Sequence, residues 1–343
     1  MTIHITFFFK YILMGCFMKK VLILFGGKGT EHLISCKSAK SIAENIDRSL
    51  FSYEMAGISL TGEWYKFNDD LAFLDNGNWL LGRIFKIDNI VEYLKCFDVI
   101  FPITHGNFGE DGKLQGFFDS FDIKYVGSKT CSSVIGFDKS LSKLVFESLK
   151  IPQLPYMVVG KKYSIFSIID TIGFPMIVKP CCGGSSIGIS KANNKKELVR
   201  AIKLALKYDS KIIIEKFINC RELECSVLGN SDFICSYPGE IKSCNDFYDY
   251  DAKYVKDSLT LIPNDLPLDV IHKVKEYSAK IFVGMGISDY SRIDFFYDES
   301  NGMVYINEIN TIPGFTCISM FPKLMQHENI NYTELISILI NNC

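Results

Sequence analysis

Residues 21–25 read VLILF, five consecutive apolar side chains that end on Gly26 and Gly27. A strand that faces water on one side alternates apolar and polar residues, so an unbroken run must be covered on both faces, as parallel strands flanked by helices are. The glycine pair then marks a turn into the helical stretch from Ser35, and a first α/β unit follows. The segment DVIFPITHG (98–106) repeats the scheme and delivers a polar loop, HGNFGEDGKLQG, at the carboxyl end of its strand, where open α/β sheets bind ligands. Residues 60–95 carry weaker signals, read as peripheral hairpins and a helix.

The texture changes from about Gly127, and a domain boundary is expected near 127–137. FDKSLSKLVFESLK has helical spacing at Leu141, Leu144, Val145 and Leu149, and IPQLPYMVV leads into a strand. FPMIVKP (174–180) and KIIIEKFI (211–218) read as further strands. Between them, NNKKELVRAIKLALKYD reads as an amphipathic helix with Asn194 and Glu197 at capping-box spacing. SRIDFFYDESNGMVYINEIN reads as two strands around a turn at Asp298 to Gly302.

Composition narrows the function classes. A length of 343 residues exceeds one ordinary core, and the 37 basic and 39 acidic side chains are interspersed, without the basic tract that grips nucleic acid or anionic membrane. A small-molecule partner is the default. None of the 12 cysteines forms a C-x-x-C pair and the five histidines are scattered, which points to reduced structural thiols and a cytoplasmic protein. The first seventeen residues, MTIHITFFFKYILMGCF, are apolar but interrupted by Lys10. They are too short to span a membrane and lack the basic start and small-residue cleavage site of a secretory signal. Because Met18 opens MKKVLILFGG, residues 1–17 are read as an upstream extension or the product of a mis-set start codon.

Three constellations could carry chemistry. Alternation along the hairpin puts Arg292 and Asp294 on one face of the first strand and Glu308 and Asn310 on one face of the second. If the turn closes by pairing Tyr297 with Met303 or thereabouts, Asp294 falls close to opposite Glu308. Asp294, Glu308 and Asn310 then offer hard oxygen donors suited to Mg²⁺, although polar strand residues facing solvent remain an equal reading on geometry alone. In KPCCGGSSIGISK (179–191), Gly183 to Ser186 let the backbone approach a phosphate and Lys179 adds a cation, although such clusters are also ordinary loops. EKF (215–217) with Glu222 could offer groups to an adenine edge and to ribose hydroxyls. GGKGTEH (26–32) fails as a P-loop, since Gly29 follows Lys28 where Ser or Thr is required, and fails as G-x-G-x-x-G at His32.

Nine ordered blocks, LFGGKGTEH, HGNFGEDGKLQG, YVGS, DKSLSK, VKPCCGGSSIGISK, EKF, FYDYDAKY, SRIDFF and NEINTIPGFTCISMFP, resemble the D-alanine–D-alanine ligase family of the ATP-grasp fold from about Met18 to the C-terminus. The resemblance implies an N-terminal open α/β domain (18–130) followed by a two-part α+β ATP-grasp module, with a central subdomain (131–218) and a C-terminal one (219–343). It implies ATP-dependent joining of two D-alanines through an acyl phosphate, with two Mg²⁺ or Mn²⁺ ions and, commonly, a homodimer. ATP contacts would be Lys139, Lys179, Glu215, Lys216, Phe217, Ile218, Glu222, Phe247 and Lys253. Metal ligands would be Asp294, Glu308 and Asn310. Glu31 and His105 would serve the first D-alanine, and Ser319 and Met320 the carboxylate of the second. Arg292 and the amide of Gly314 would hold the oxyanion, while Glu31, Ser185 and Tyr254 would form a hydrogen-bonded trio. DFYDYDAKY (246–254) would be the loop that closes over the reaction.

Two departures stand out. Leu33 replaces an acidic residue two positions after Glu31, and Cys181 and Cys182 replace small or polar residues in the phosphate flap. Within the family, Tyr248, Tyr254 and Met320 resemble the branch that makes D-alanyl-D-alanine, whereas ISLTGEWYKF (58–67) resembles resistance-type ligases that accept D-serine or D-lactate.

Overall fold

The computed structural model describes residues 18–184, 187–242 and 259–343. The amino-terminal part contains β1 (Lys19–Gly26), α1 (His32–Asn45), β2 (Phe51–Ile58), β3 (Trp64–Phe67), β4 (Ile84–Lys86), α2 (Ile90–Leu94), β5 (Val99–Pro102) and α3 (Lys113–Ser120). Its five-stranded sheet runs β4-β3-β2-β1-β5, with β1 parallel to both β2 and β5. All five residues of VLILF are fully buried, as a central strand covered on both faces requires. Residues 60–95 add β3 and β4 to the same sheet rather than standing apart from it.

Helix α1 begins at His32, three residues earlier than the apolar pattern suggests, because the turn before it is tied down by backbone contacts. Gly26 has φ +86°, and an added Cβ would lie 2.3 Å from the carbonyl oxygen of Ile58, so only glycine fits beside the neighbouring strand. The Gly26 amide donates to Ser35 Oγ at 2.8 Å, and that hydroxyl donates to the Ile103 carbonyl at 2.6 Å. One serine thereby locks the turn to the end of β5, where the polar loop starts.

The middle of the chain contains α4 (Thr130–Phe137), α5 (Lys139–Ser148), β6 (Tyr156–Val159), α6 (Ile165–Ile172), β7 (Met176–Pro180), β8 (Ser190–Ala192), α7 (Lys195–Ala205) and β9 (Ile212–Lys216). Four antiparallel strands run β6-β9-β7-β8, and α6 and α7 cover one face with Ile168, Leu198 and Ile202. Asn194 caps α7 by accepting from the Glu197 amide, and Glu197 Oε2 returns to the Asn193 amide at 2.7 Å, one residue before the amide a capping box engages.

A second antiparallel sheet follows, made by β10 (Arg221–Gly229), β11 (Phe233–Cys235), β12 (Gly239–Lys242), β13 (Leu259–Leu261), β14 (Asp289–Asp298) and β15 (Met303–Asn310), backed by α8 (Leu268–Gly284). The chain ends with α9 (Met320–His327) and α10 (Tyr332–Asn341). Leu335, Ile336 and Leu339 of α10 return to the core that holds Val21, Ile23 and Phe25, so the two ends of the described chain share one apolar cluster. The mixed α/β architecture matches the expected class.

Candidate active site

A cavity of about 750 Å³ opens where the three sheets meet, with walls drawn from α1, the loop after β5, α5, the flap at Gly183 and Gly184, and the β14–β15 hairpin. The hairpin supplies its floor. Asp298 pairs with Met303 and Tyr297 with Val304, one residue away from the closure expected, and a bulge between Asp294 and Phe295 shifts the register once more. Both offsets act in the same direction. Together they put Asp294 directly opposite Glu308 and Arg292 opposite Asn310, which a straight ladder closed at Met303 would not do.

Electrostatics link these four side chains. Arg292 donates Nε and Nη2 to Asp294 at 2.7 and 2.8 Å, and its Nε lies 3.2 Å from Glu224. Burial disfavours the guanidinium charge, but Asp294 and Glu224 outweigh it and hold its pKa well above the usual value. Asn310 donates Nδ2 to Asp294 at 2.9 Å, which leaves its amide oxygen as the atom able to meet a cation. Lys139 sits 3.2 Å from Glu308. Among the described residues no three His, Cys, Asp or Glu side chains cluster as a metal site. The available set is two carboxylates and one amide. Its all-oxygen composition fits Mg²⁺ or Mn²⁺, and the three acids Asp294, Glu308 and Glu224 outnumber their cations Arg292 and Lys139.

The lysines expected to meet phosphate, Lys139 and Lys179, come from α5 and from the central sheet. Asp138 caps α5 and places Lys139 at the first helical position, where Nζ reaches the Gly183 carbonyl at 2.9 Å. Lys179 leaves β7 to meet Glu215 of β9 and Asn307 Oδ1, the latter at 3.2 Å. Lys143, not singled out by sequence, completes the arrangement at 2.7 Å from the other Glu215 oxygen and is itself fully buried. It lies one turn after Lys139 on α5. That i,i+4 spacing within DKSLSK was a readable signal. Burial alone would raise the Glu215 pKa, but Lys143 and Lys179 hold it down at about 2. The apolar spacing of α5 marks a helix correctly, yet Leu144 is exposed and the buried face carries Lys143 and Phe146.

The adenine-end residues are brought near one another with modified parts to play. Glu215 spends its carboxylate on two lysines, and Lys216 sends its side chain away to the Phe174 carbonyl at 2.7 Å, leaving backbone groups as its contribution. Phe217 carries the Lys191 ammonium 3.5 Å from its ring centroid, a cation–π contact. Ile218 is half-buried in the loop after β9, and Glu222 lies on β10 opposite Phe296.

Glu31 stands immediately before α1, and two glycines of other segments press against its carboxylate. An added Cβ would lie 1.8 Å from Oε2 at Gly106 and 2.9 Å from it at Gly184. The amino-terminal wall and the flap therefore converge on this one acid. His105 differs from expectation. Its Nδ1 faces the Ile312 carbonyl at 2.8 Å and its Nε2 faces Ser38 Oγ at 3.0 Å, so both ring nitrogens are already engaged within the protein. A carbonyl only accepts, so Nδ1 carries the proton, and burial favours the neutral ring. Nε2 then accepts from Ser38. His105 can touch a ligand only through its ring edge.

Gly314 and Ser319 lie on the loop between β15 and α9. Ser319 Oγ accepts from the Thr316 amide at 3.1 Å, and Met320 packs over Gly239 beside Ile241 and Leu324. Phe315, wedged among Phe101, Tyr290 and Phe321, anchors that loop in the core. Ser185, Phe247, Lys253 and Tyr254, with Tyr248 and residues 1–17, lie outside the described residues. Of the flap thiols, Cys181 is buried and Cys182 half-buried, and burial pushes both up to about 12. They are protonated packing groups at neutral pH. The ten described cysteines are all free.

Known protein families match both halves of the chain. Residues 20–128 match the family described as D-ala D-ala ligase N-terminus, and residues 145–341 match D-ala D-ala ligase C-terminus. The D-alanine–D-alanine ligase of Acetivibrio thermocellus is 40% identical, covering 94% of this chain and 95% of its own, and that of Clostridium novyi is 42% identical, covering 94% and 97%. Among solved structures, the VanG D-Ala:D-Ser ligase from Enterococcus faecalis superposes with TM-score 0.83 at 31% identity, covering 94% of this chain and 99% of that one. The Bacillus anthracis D-alanine–D-alanine ligase complexed with ATP gives 0.74 at 26%, covering 94% and 97%. With both halves matched and relatives at 40% identity aligned over 94% of the sequence, the chain belongs to the D-alanine–D-alanine ligase family.

Proposed function

We propose that this protein uses ATP to join two D-alanine molecules into D-alanyl-D-alanine, the precursor unit of peptidoglycan. The observation that carries the reading is the convergence of Glu31, the flap glycines, Lys139, Arg292, Glu308 and Asn310 around one cavity. Curated relatives at 40% and 42% identity are named D-alanine–D-alanine ligase. D-serine or D-lactate as second substrate is disfavoured, since Met320 stands where the D-serine branch tends to carry arginine.

A carboxylate is a poor acyl donor until its oxygen becomes a leaving group. The first D-alanine, its ammonium held by Glu31, turns its carboxylate on the γ-phosphate of ATP and yields an acyl phosphate and ADP. The amine of the second D-alanine attacks that carbonyl, and the tetrahedral intermediate collapses with loss of phosphate. Lys139 and Lys179 neutralise phosphate oxygens, while Arg292 and the Gly314 amide face the developing oxyanion. Asp294, Glu308 and Asn310 would hold Mg²⁺ or Mn²⁺, which when bound draws charge from the phosphates. Ser319 and Met320 receive the second carboxylate. By the family resemblance, Ser185 and Tyr254 would join Glu31 in positioning the amine, and Phe247 and Lys253 would serve the nucleotide.

In this reading residues 18–130 form the substrate domain, and 131–218 and 219–343 clasp ATP between them. No described helix is long and apolar enough to cross a membrane, and the pathway is one of the cytoplasm. The test is phosphate release from ATP and Mg²⁺ with D-alanine alone, then with D-serine or D-lactate added, each product weighed by mass spectrometry. Release that requires added D-serine would move the assignment to the resistance-type reaction.

A further inference from the structure

Glu110 lies in the polar loop after β5, lines the cavity half-buried, and takes no part in the steps above. Its two carboxylate oxygens serve two different segments. Oε2 accepts from the Gly106 amide at 2.8 Å, within its own loop, and Oε1 accepts from the Ile312 amide at 2.8 Å, two hundred residues away on the loop that carries Gly314. The carbonyl of that same Ile312 accepts from His105 Nδ1 at 2.8 Å, and Ser38 on α1 holds the other side of the ring. Both polar groups of the Ile312 backbone are thus gripped from the amino-terminal domain.

We propose that Glu110 is a positioning residue that, with His105 as the opposing jaw, clamps the Ile312 backbone and so aims the Gly314 amide at the reacting carbonyl. This inference rests on the ligase reading of the site. The clamp has a geometric reason. An oxyanion donor must be fixed before charge develops, and a glycine amide four residues past the end of β15 has no side chain to fix it. Phe315 anchors the loop on its far side, and Glu110 and His105 anchor it on the near side. Charged and titratable neighbours of Glu110 are Glu31, Arg292, His105 and the phenol of Tyr290. Burial and the Glu31 carboxylate push Glu110 up to about 7, while the two accepted amides and Arg292 favour its ionised form.

Glu110→Gln keeps the shape but offers one acceptor and a donor that faces an amide. The clamp predicts that kcat for phosphate release with D-alanine falls on the order of 10- to 100-fold, the loss of one charge-assisted hydrogen bond, while KM for ATP stays within about twofold. A phosphinate analogue of the dipeptide, which mimics the tetrahedral intermediate, should bind more weakly by the same factor, and Glu110→Asp should recover part of both. A kcat within about twofold of wild type, or equal losses in ATP affinity and analogue affinity, would overturn the clamp. If Glu110→Gln does not fold, Ser38→Ala carries the test by loosening the His105 jaw. A severalfold lower kcat at unchanged KM for ATP supports the clamp, and an unchanged kcat refutes it. Wild-type turnover with D-alanine is the control, since its absence would count against the ligase reading and not against the clamp.

Discussion

Lys143→Met is the sharpest probe of how the ATP end is built. The substitution keeps the length of a buried side chain and removes one of the two cations that hold Glu215. Between them these lysines move the Glu215 carboxyl from its ordinary 4.5 to about 2 against the cost of burial, a displacement worth roughly 3 kcal/mol. Without Lys143 the burial cost remains and Lys179 faces it alone, so a destabilisation of about 3 kcal/mol is expected, in line with breaking a buried ion pair. The sign with pH follows. A carboxyl whose folded pKa is depressed stabilises above its unfolded pKa and loses that contribution as pH falls through the folded one. The gap in stability between wild type and variant should therefore be full at pH 7 and close between about 4.5 and 2. Lys179, drawn harder to Glu215, would also be less available to a phosphate, so KM for ATP should rise severalfold with a smaller change in kcat. Denaturant unfolding across pH and ATP titration of initial rates measure both. An unchanged KM for ATP together with a stability gap that persists at low pH would refute the reasoning.

Other perturbations test neighbouring parts of the site. Gly106→Ala should raise KM for the first D-alanine by at least about tenfold in substrate titrations, since Gly106 has φ +67° and the new methyl would meet Glu31 Oε2. Glu308→Gln should abolish turnover, which rate measurements over a wide Mg²⁺ range would detect; near-normal rates would remove Glu308 from the metal set. Cys181→Ala/Cys182→Ala should retain most activity and wild-type activity should survive brief alkylation, because neither thiol is ionised at neutral pH, whereas Ser185→Ala should impair turnover. The reverse ranking would give the thiols a role in the chemistry.

The strands were legible because their apolar runs have one physical reading. VLILF, MIVKP and KIIIEK each became a buried strand. The pairing of Asp294 with Glu308 was legible only in outline. Parity fixes which residues share a face, but register depends on how the turn closes and on the bulge before Phe295, neither of which alternation encodes. Side-chain destinations were least legible. His105 looked like a substrate contact and instead spends both nitrogens on Ile312 and Ser38, partners 207 and 67 residues away. Lys216 points to the Phe174 carbonyl, and Lys143 disappears beneath Glu215. Such contacts arise from the packing of three sheets on one another, and a single chain pattern carries little trace of them. Glu110 shows the same limit, since its second partner becomes visible only once the two ends of the site are in contact.

The central claim is that this cavity activates one D-alanine carboxylate with ATP and passes it to the amine of another. Purified protein supplied with ATP, Mg²⁺ and D-alanine labelled with ¹⁸O in its carboxylate tests this most directly. The account predicts D-alanyl-D-alanine by mass and one ¹⁸O atom transferred to each phosphate released, because the attacking carboxylate oxygen leaves with the phosphoryl group. Phosphate free of label, or hydrolysis of ATP without dipeptide, would contradict it.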